Sequence, residues 1–152
     1  MGTLTGAIQG KLVFFDSGPL IYYVEQHPAY AEPAGELFEA LDRGNARGLT
    51  SVLTLVEVMT KPLRDGRHDL AAEYRSVLTA AVGISVYPID EKICERAALL
   101  RAGHSWLRTP DALQAATALL HKADLIVTND ERRRGLAEIQ VIVLRDYAPA
   151  KP

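Results

Sequence analysis

Four acidic residues, Asp16, Glu57, Asp111 and Asp130, stand where carboxylates can do chemistry. Asp16 ends the apolar run "LVFF", and Asp130 comes two residues after "LIVT". Glu57 lies in the first turn after another apolar stretch, and Asp111 follows Thr109-Pro110 at a helix start. Each has a structural explanation when taken alone. Asp16 and Asp130 can cap the helices that follow them, Glu57 lies three residues after Thr54 as in a capping box, and Asp111 suits the positive end of a helix dipole. Taken together they say more. In a parallel sheet the carboxyl ends of the strands share one edge, and ligand sites form there. Four carboxylates brought to that edge repel one another unless a cation neutralises them. Hard oxygen donors without a set of Cys or His ligands select Mg²⁺ or Mn²⁺.

The elements that must position these acids follow from the apolar pattern. Residues 11–15 predict the first strand and residues 19–26 a short helix. A helix entered at Pro33 buries Leu37, Phe38 and Leu41, and Arg43-Gly44-Asn45 stops it. Residues 49–52 predict a second strand, after which Thr54 opens a helix that Pro62 ends or kinks. Leu70, Tyr74, Val77, Leu78 and Ala81 fall on one helical face. "GISVYP" predicts a third strand, and Asp90 caps a helix that turns Ile93, Ala97 and Leu100 inward, with Cys94 buried. The helix opened by Thr109 offers Ala112, Ala115, Ala116, Leu119 and Leu120 to the core. Residues 125–128 and 140–144 complete the strands. Alternation of strand and helix predicts an α/β fold: a single domain with a central, mostly parallel sheet of five strands and helices on both faces. Its expected limits are residues 11–145, with an N-terminal extension over 1–10 and a C-terminal tail over 146–152, both read as loose ends.

Composition narrows the classes. A chain of 152 residues falls within the usual range of about 100–200 for one domain. The formal net charge of −2 excludes a globally basic nucleic-acid binder, so any RNA contact must come from a local patch. A single cysteine, Cys94, excludes an internal disulfide and a multi-cysteine zinc site. No apolar stretch is long enough for a membrane span, and the first residues lack a secretory pattern. Gly2 begins a myristoylation pattern that Gly6 breaks, since Ser or Thr is needed there. The expectation is a cytoplasmic protein with no membrane partner.

Four segments, in order, resemble the PIN domain, and specifically the VapC-type toxin ribonucleases of toxin–antitoxin pairs. They are "VFFDSGPLIYYVE" with Asp16 and Ser17, "TSVLTLVEVMTKPL" with Glu57, "LRTPDALQAATAL" with Asp111, and "ADLIVTNDERR" with Thr128, Asn129 and Asp130. The resemblance runs from about residue 11 to 145. It implies an endoribonuclease that depends on Mg²⁺ or Mn²⁺. Asp16, Asp111 and Asp130 would hold one or two ions, and Glu57 would complete the set or orient the attacking water. RNA would be hydrolysed through a metal-activated water, leaving 5′-phosphate and 3′-hydroxyl ends. Ser17 and Thr128 would orient carboxylates, although Thr128 also suits an ordinary strand end. Further implied are a cognate antitoxin, whose C-terminal segment blocks the site or inserts a basic side chain, and a homodimer, for which Tyr22, Tyr23 and Val24 offer an apolar face.

Around such an acidic centre the RNA needs positive charge. Arg108, Arg132, Arg133 and Arg134 are the candidates, with a solvated helix face as the competing explanation for the arginine run. Three arginines stand where many relatives have an aromatic residue. His104 and Trp106 offer a phosphate contact and a stacking surface, or Trp106 packs in the core. Among rival enzymes, an aspartyl-nucleophile phosphotransferase also wants an Asp after its first strand, but Gly18 stands where the haloacid-dehalogenase pattern has a second acid. No GxxxxGK[ST] or GxG is present. A PIN-like domain that binds RNA or a protein without cutting is the non-enzymatic alternative.

Overall fold

The computed structural model describes residues 2–150. Its five strands are β1 (Leu12–Phe15), β2 (Arg47–Ser51), β3 (Ile84–Tyr87), β4 (Leu125–Thr128) and β5 (Gln140–Val143). All pair in parallel, in the order β3-β2-β1-β4-β5. The central pair β1 and β4 is apolar because both faces of the sheet are covered. Side chains alternate accordingly. Val13, Phe15, Leu125 and Val127 join one hydrophobic cluster, while Phe14 and Ile126 join the other.

Seven α-helices are described: α1 (Leu4–Ile8), α2 (Ser17–Val24), α3 (Ala31–Asp42), α4 (Leu53–Arg64), α5 (His68–Ala80), α6 (Glu91–Gly103) and α7 (Thr109–Leu120). Buried residues of α1 to α5 pack with Phe15 on one face, and those of α6 and α7 pack with Phe14 on the other. The crossovers therefore cover both faces, as the strand–helix alternation predicts. Among the described residues no helix is long and apolar enough to cross a membrane.

Several local expectations are corrected. Residues 4–8 are a helix and not a loose end: Thr3 accepts from Gly6 N at 3.0 Å, and Leu4 and Ile8 are fully buried. At the other terminus, residues 144–147 form a 3-10 turn with Leu144 buried, and 151–152 lie outside the described residues. Helix α4 runs two residues beyond Pro62, and Gly66, at φ +71°, follows its end. Cys94 is exposed, one position off the buried stripe of Ile93, Ala97 and Leu100. In α7 the core takes Gln114, Thr117 and Ala118 beside the expected alanines, while Leu120 is exposed. Asp90 does cap α6, accepting from Ile93 N at 3.0 Å.

Two close approaches set the β2–β3 edge against α3. A Cβ on Gly48 would come within 2.7 Å of Leu41 Cδ1, and one on Gly83 would run into the Leu41 carbonyl. At Gly83, where the obstacle is backbone, only glycine lets the two chains meet; at Gly48 the Leu41 side chain would have to shift. At the centre, Asp124 fastens the start of β1 to that of β4. Its Oδ2 accepts from Leu12 N at 2.8 Å, and its own N donates to Leu12 O at 2.8 Å. Their carboxyl ends are thereby kept in step, with Phe15 beside Val127.

Candidate active site

The strand order reverses between β1 and β4, the place where an open parallel sheet leaves a crevice beyond its carboxyl edge. A cleft of about 410 Å³ lies there, and all four acids line it, together with Ser17, Tyr22, Thr128, Asn129 and Arg133. Each acid arrives on a different element: Asp16 from the end of β1, Glu57 from α4, Asp111 from the first turn of α7, and Asp130 from the turn after β4.

Asp16 is the N-cap residue of α2, yet its side chain makes no capping hydrogen bond. Instead, Thr128 Oγ1 donates to Asp16 Oδ2 at 2.6 Å, while Oδ1 is buried without a hydrogen-bond partner. A carboxylate 7% exposed, with one oxygen unsatisfied, is costly by itself. Burial pushes the Asp16 carboxyl above its ordinary range, against the opposing pull of Arg133 and of the Thr128 hydroxyl. Thr128 is held in turn, since its Oγ1 accepts from Asp130 N at 3.1 Å.

Glu57 does not form the capping box that its spacing from Thr54 predicts. The N-cap of α4 is Val52, two residues earlier, so Thr54 lies within the first turn and is fully buried. Its hydroxyl meets that of Thr50 at 2.8 Å, and Thr50 Oγ1 donates to Phe15 O at 2.7 Å. Glu57 is released towards the cleft, where Gln114 Nε2 donates to its Oε1 at 2.7 Å and to Thr54 Oγ1 at 3.1 Å. Desolvation raises the Glu57 carboxyl, opposed by the Gln114 hydrogen bond and reinforced by the negative charge of Asp16.

Asp111 and Asp130 are each engaged by an arginine of the run after β4. Residues 131–135 form a 3-10 helix, whose pitch puts positions three apart on one side. Asp130 caps it, accepting from Arg132 N at 3.1 Å, and Arg132 Nη2 donates to Asp130 Oδ2 at 2.8 Å. The Arg132 hydrogen bonds hold the Asp130 carboxyl below its usual range. Arg133, three residues after Asp130, turns inward. Its Nη2 donates to Asp111 Oδ1 at 2.8 Å and stands 3.6 Å from Asp16 Oδ2.

This corrects the place of Arg133. The sequence puts it among the RNA-reaching cations, but the side chain is 4% exposed and is the internal counter-charge of the acids. The remaining three candidates are surface residues. Arg108 Nε stands 3.6 Å from Asp111 Oδ2, Arg132 lies on Asp130, and Arg134 Nη2 donates to Asp146 Oδ2 at 2.8 Å. Trp106 packs against the α6–α7 core, where a Cβ on Gly135 would be 3.2 Å from its ring, and His104 Nε2 bonds Glu138 at 2.7 Å.

Two residues of the cleft were not singled out from the sequence. Gln114 is 1% exposed, and the available signal was an amide on the apolar face of α7, one turn after Asp111. The sequence offers Tyr22 only as part of an apolar face; its hydroxyl accepts from Asn129 Nδ2 at 3.3 Å, and Asn129 Oδ1 accepts from Arg145 N at 3.0 Å.

In chemical type the donor set fits a hard divalent ion: oxygen ligands only, with a buried carboxylate oxygen left unpartnered. In present orientation it is not a finished cage. Among the described residues no three Asp, Glu, His or Cys side chains converge closely enough to hold a metal.

A family model described as PIN domain matches residues 13–139. Solved structures with a similar fold include a toxin–antitoxin complex from Klebsiella pneumoniae, at 23% identity and TM-score 0.63, covering 87% of this chain and 97% of that one. VapBC2 from Rickettsia felis, bound to a DNA fragment from its promoter, matches at 15% identity and TM-score 0.70, covering 87% and 98%. VapC20 from Mycobacterium tuberculosis, a sarcin–ricin-loop-cleaving toxin, matches at 17% identity and TM-score 0.67, covering 84% and 98%. A comparison with curated proteins gives no match.

Proposed function

The chain belongs to the PIN domain family, and on that premise we propose that it is a metal-dependent endoribonuclease of the VapC toxin type, held in check by an antitoxin. The observation that carries this is the convergence of Asp16, Glu57, Asp111 and Asp130 on one cleft at the sheet's switch point. Asp16 and Asp111 would hold Mg²⁺ or Mn²⁺, with Asp130 and Glu57 completing the set. A divalent ion at such a site supplies Lewis-acid charge that lowers the pKa of water and polarises a phosphodiester.

The chain's own residues do the rest. Thr128 fixes the Asp16 carboxylate through its 2.6 Å hydrogen bond, leaving Oδ1 as the open donor atom. Gln114 fixes Glu57, which can then accept a proton from an attacking water or bind the ion. Arg108, beside Asp111, and Arg132, on Asp130, flank the acidic centre and would take phosphates next to the cut, while Arg134, paired with Asp146 at the surface, would take a more distant one. Cleavage by water leaves a 5′-phosphate and a 3′-hydroxyl. Ser17, beside Asp16 in the cleft lining, would help to orient it. The antitoxin is inferred from the toxin–antitoxin complexes that share the fold, and a homodimer from the family resemblance.

Purified protein incubated with total RNA and Mg²⁺ or Mn²⁺ tests this. Discrete fragments that vanish with EDTA are expected; RNA left intact by folded, antitoxin-free protein would contradict it. The engagement of Asp111 and Asp130 by arginines favours one second reading, a domain that binds RNA without cutting. Intact but retained RNA would be its signature. Gln114→Leu, which removes the donor to Glu57 at similar volume, is expected to lower cleavage about 10–100-fold. Its circular dichroism spectrum should stay that of the wild type. An unchanged rate would remove Gln114 from the machinery.

A further inference from the structure

Arg133 is the least expected side chain of the cleft. A guanidinium 4% exposed spends one donor on Asp111 Oδ1 at 2.8 Å, leans on Asp16 Oδ2 at 3.6 Å, and leaves Nε and Nη1 buried without hydrogen-bond partners. A buried arginine this poorly satisfied through hydrogen bonds is kept in place by charge, and the charge around it is carboxylate. The unpartnered Oδ1 of Asp16 stands on the other side of the same account, a buried anion short of a cation.

We propose that Arg133 is a built-in cation of the acidic site, competing with the divalent ion for Asp16 and Asp111 and standing in for a second ion. Four ionised carboxylates facing Arg108, Arg132 and Arg133 carry one uncompensated negative charge, which one divalent ion more than balances. The chain therefore binds a single ion, and binds it against the field of Arg133. A positive charge a few ångström from a divalent cation in a partly desolvated cleft weakens its binding by well over tenfold. In the metal-free protein the same guanidinium keeps Asp111 and Asp16 from driving each other apart, so Arg133 is a positioning residue as well as a competitor. The inference rests on the acids being the ion-binding set, as proposed above.

Titration of Mn²⁺ into the purified full chain by calorimetry tests it, on the wild type, Arg133→Gln, Arg133→Lys and Asp16→Asn. Glutamine keeps a donor for Asp111 while removing the charge; lysine keeps the charge. One ion per chain is expected for the wild type, with at least about tenfold tighter binding in Arg133→Gln and near-wild-type affinity in Arg133→Lys. Thermal melts supply a second readout. Arg133→Gln should melt below the wild type in EDTA, and Mn²⁺ should raise its melting temperature more than it raises that of the wild type. Binding by Arg133→Gln that is no tighter than wild type, or two ions per wild-type chain, would overturn the role of Arg133. Wild-type binding that is indifferent to Asp16→Asn would overturn the ion site itself, a separate outcome.

Discussion

Asp16→Asn is expected to abolish RNA cleavage while raising the melting temperature of the metal-free protein. The two effects have one origin. Asp16 is 7% exposed, burial is the largest influence on its carboxyl, and the folded-state pKa lies above the ordinary value. For an acid shifted in that direction, the fold favours the protonated form. Stability is then greatest below the unfolded pKa and is lost as pH rises through the interval up to the folded one, so at neutral pH the charged Asp16 works against folding. Asparagine keeps an oxygen for the Thr128 hydroxyl and carries no charge. A gain in stability follows, read as a higher melting temperature in EDTA. Cleavage should fall by more than about a hundredfold, since even partners one bond removed from a metal cost about 10–100-fold. Melting curves in EDTA at pH 7 and pH 5 check the stability half: the advantage of the variant should shrink at the lower pH. A variant that still cleaves RNA, or melts below the wild type in EDTA, would show that Asp16 is a structural cap.

Phe15→Ala should cost the fold more than any other single change near the site. Phe15 is fully buried on the central strand, packs edge-on against Phe38 at 5.1 Å between ring centres, and pairs with Val127 of β4. Its carbonyl receives the Thr50 hydroxyl, which links β1 to the first turn of α4 and so to Glu57. Removing the ring leaves a cavity in a core bounded by α2 and α3, with a loss of about 3–5 kcal/mol. Against a total of about 5–15 kcal/mol, that removes a large share of the stability. Urea denaturation of the variant measures it. A loss below about 1 kcal/mol would mean that the α2–α3 face closes over the gap.

The sheet and the acids were legible in the sequence because two constraints coincide there. A strand buried on both faces must be apolar, and "LVFF" and "LIV" are. A carboxylate directly past such a run is conspicuous. What sequence could not convey was which way side chains turn once helices had set their phase. A five-residue helix at 4–8 has too little length to show a period, and only packing reveals that Leu4 and Ile8 share a buried side. Thr54 and Glu57 have capping-box spacing, but a helix capped two residues earlier gives both to other partners. From the sequence the arginine run offers RNA-reaching cations, with a solvated face as the alternative. Its 3-10 pitch instead separates Arg133 from its neighbours, burying one guanidinium and leaving two at the surface.

The chemistry of the RNA ends made by the purified chain tests the central claim most directly. If acids at the β1–β4 switch point direct water onto a phosphodiester with a divalent ion, the fragments carry 5′-phosphates that accept ligation and 3′-hydroxyls, and both disappear with EDTA or Asp16→Asn. Fragments with 5′-hydroxyls and cyclic phosphates, formed equally well in EDTA, would mean that the ribose hydroxyl attacks without a metal and that the four acids do something else.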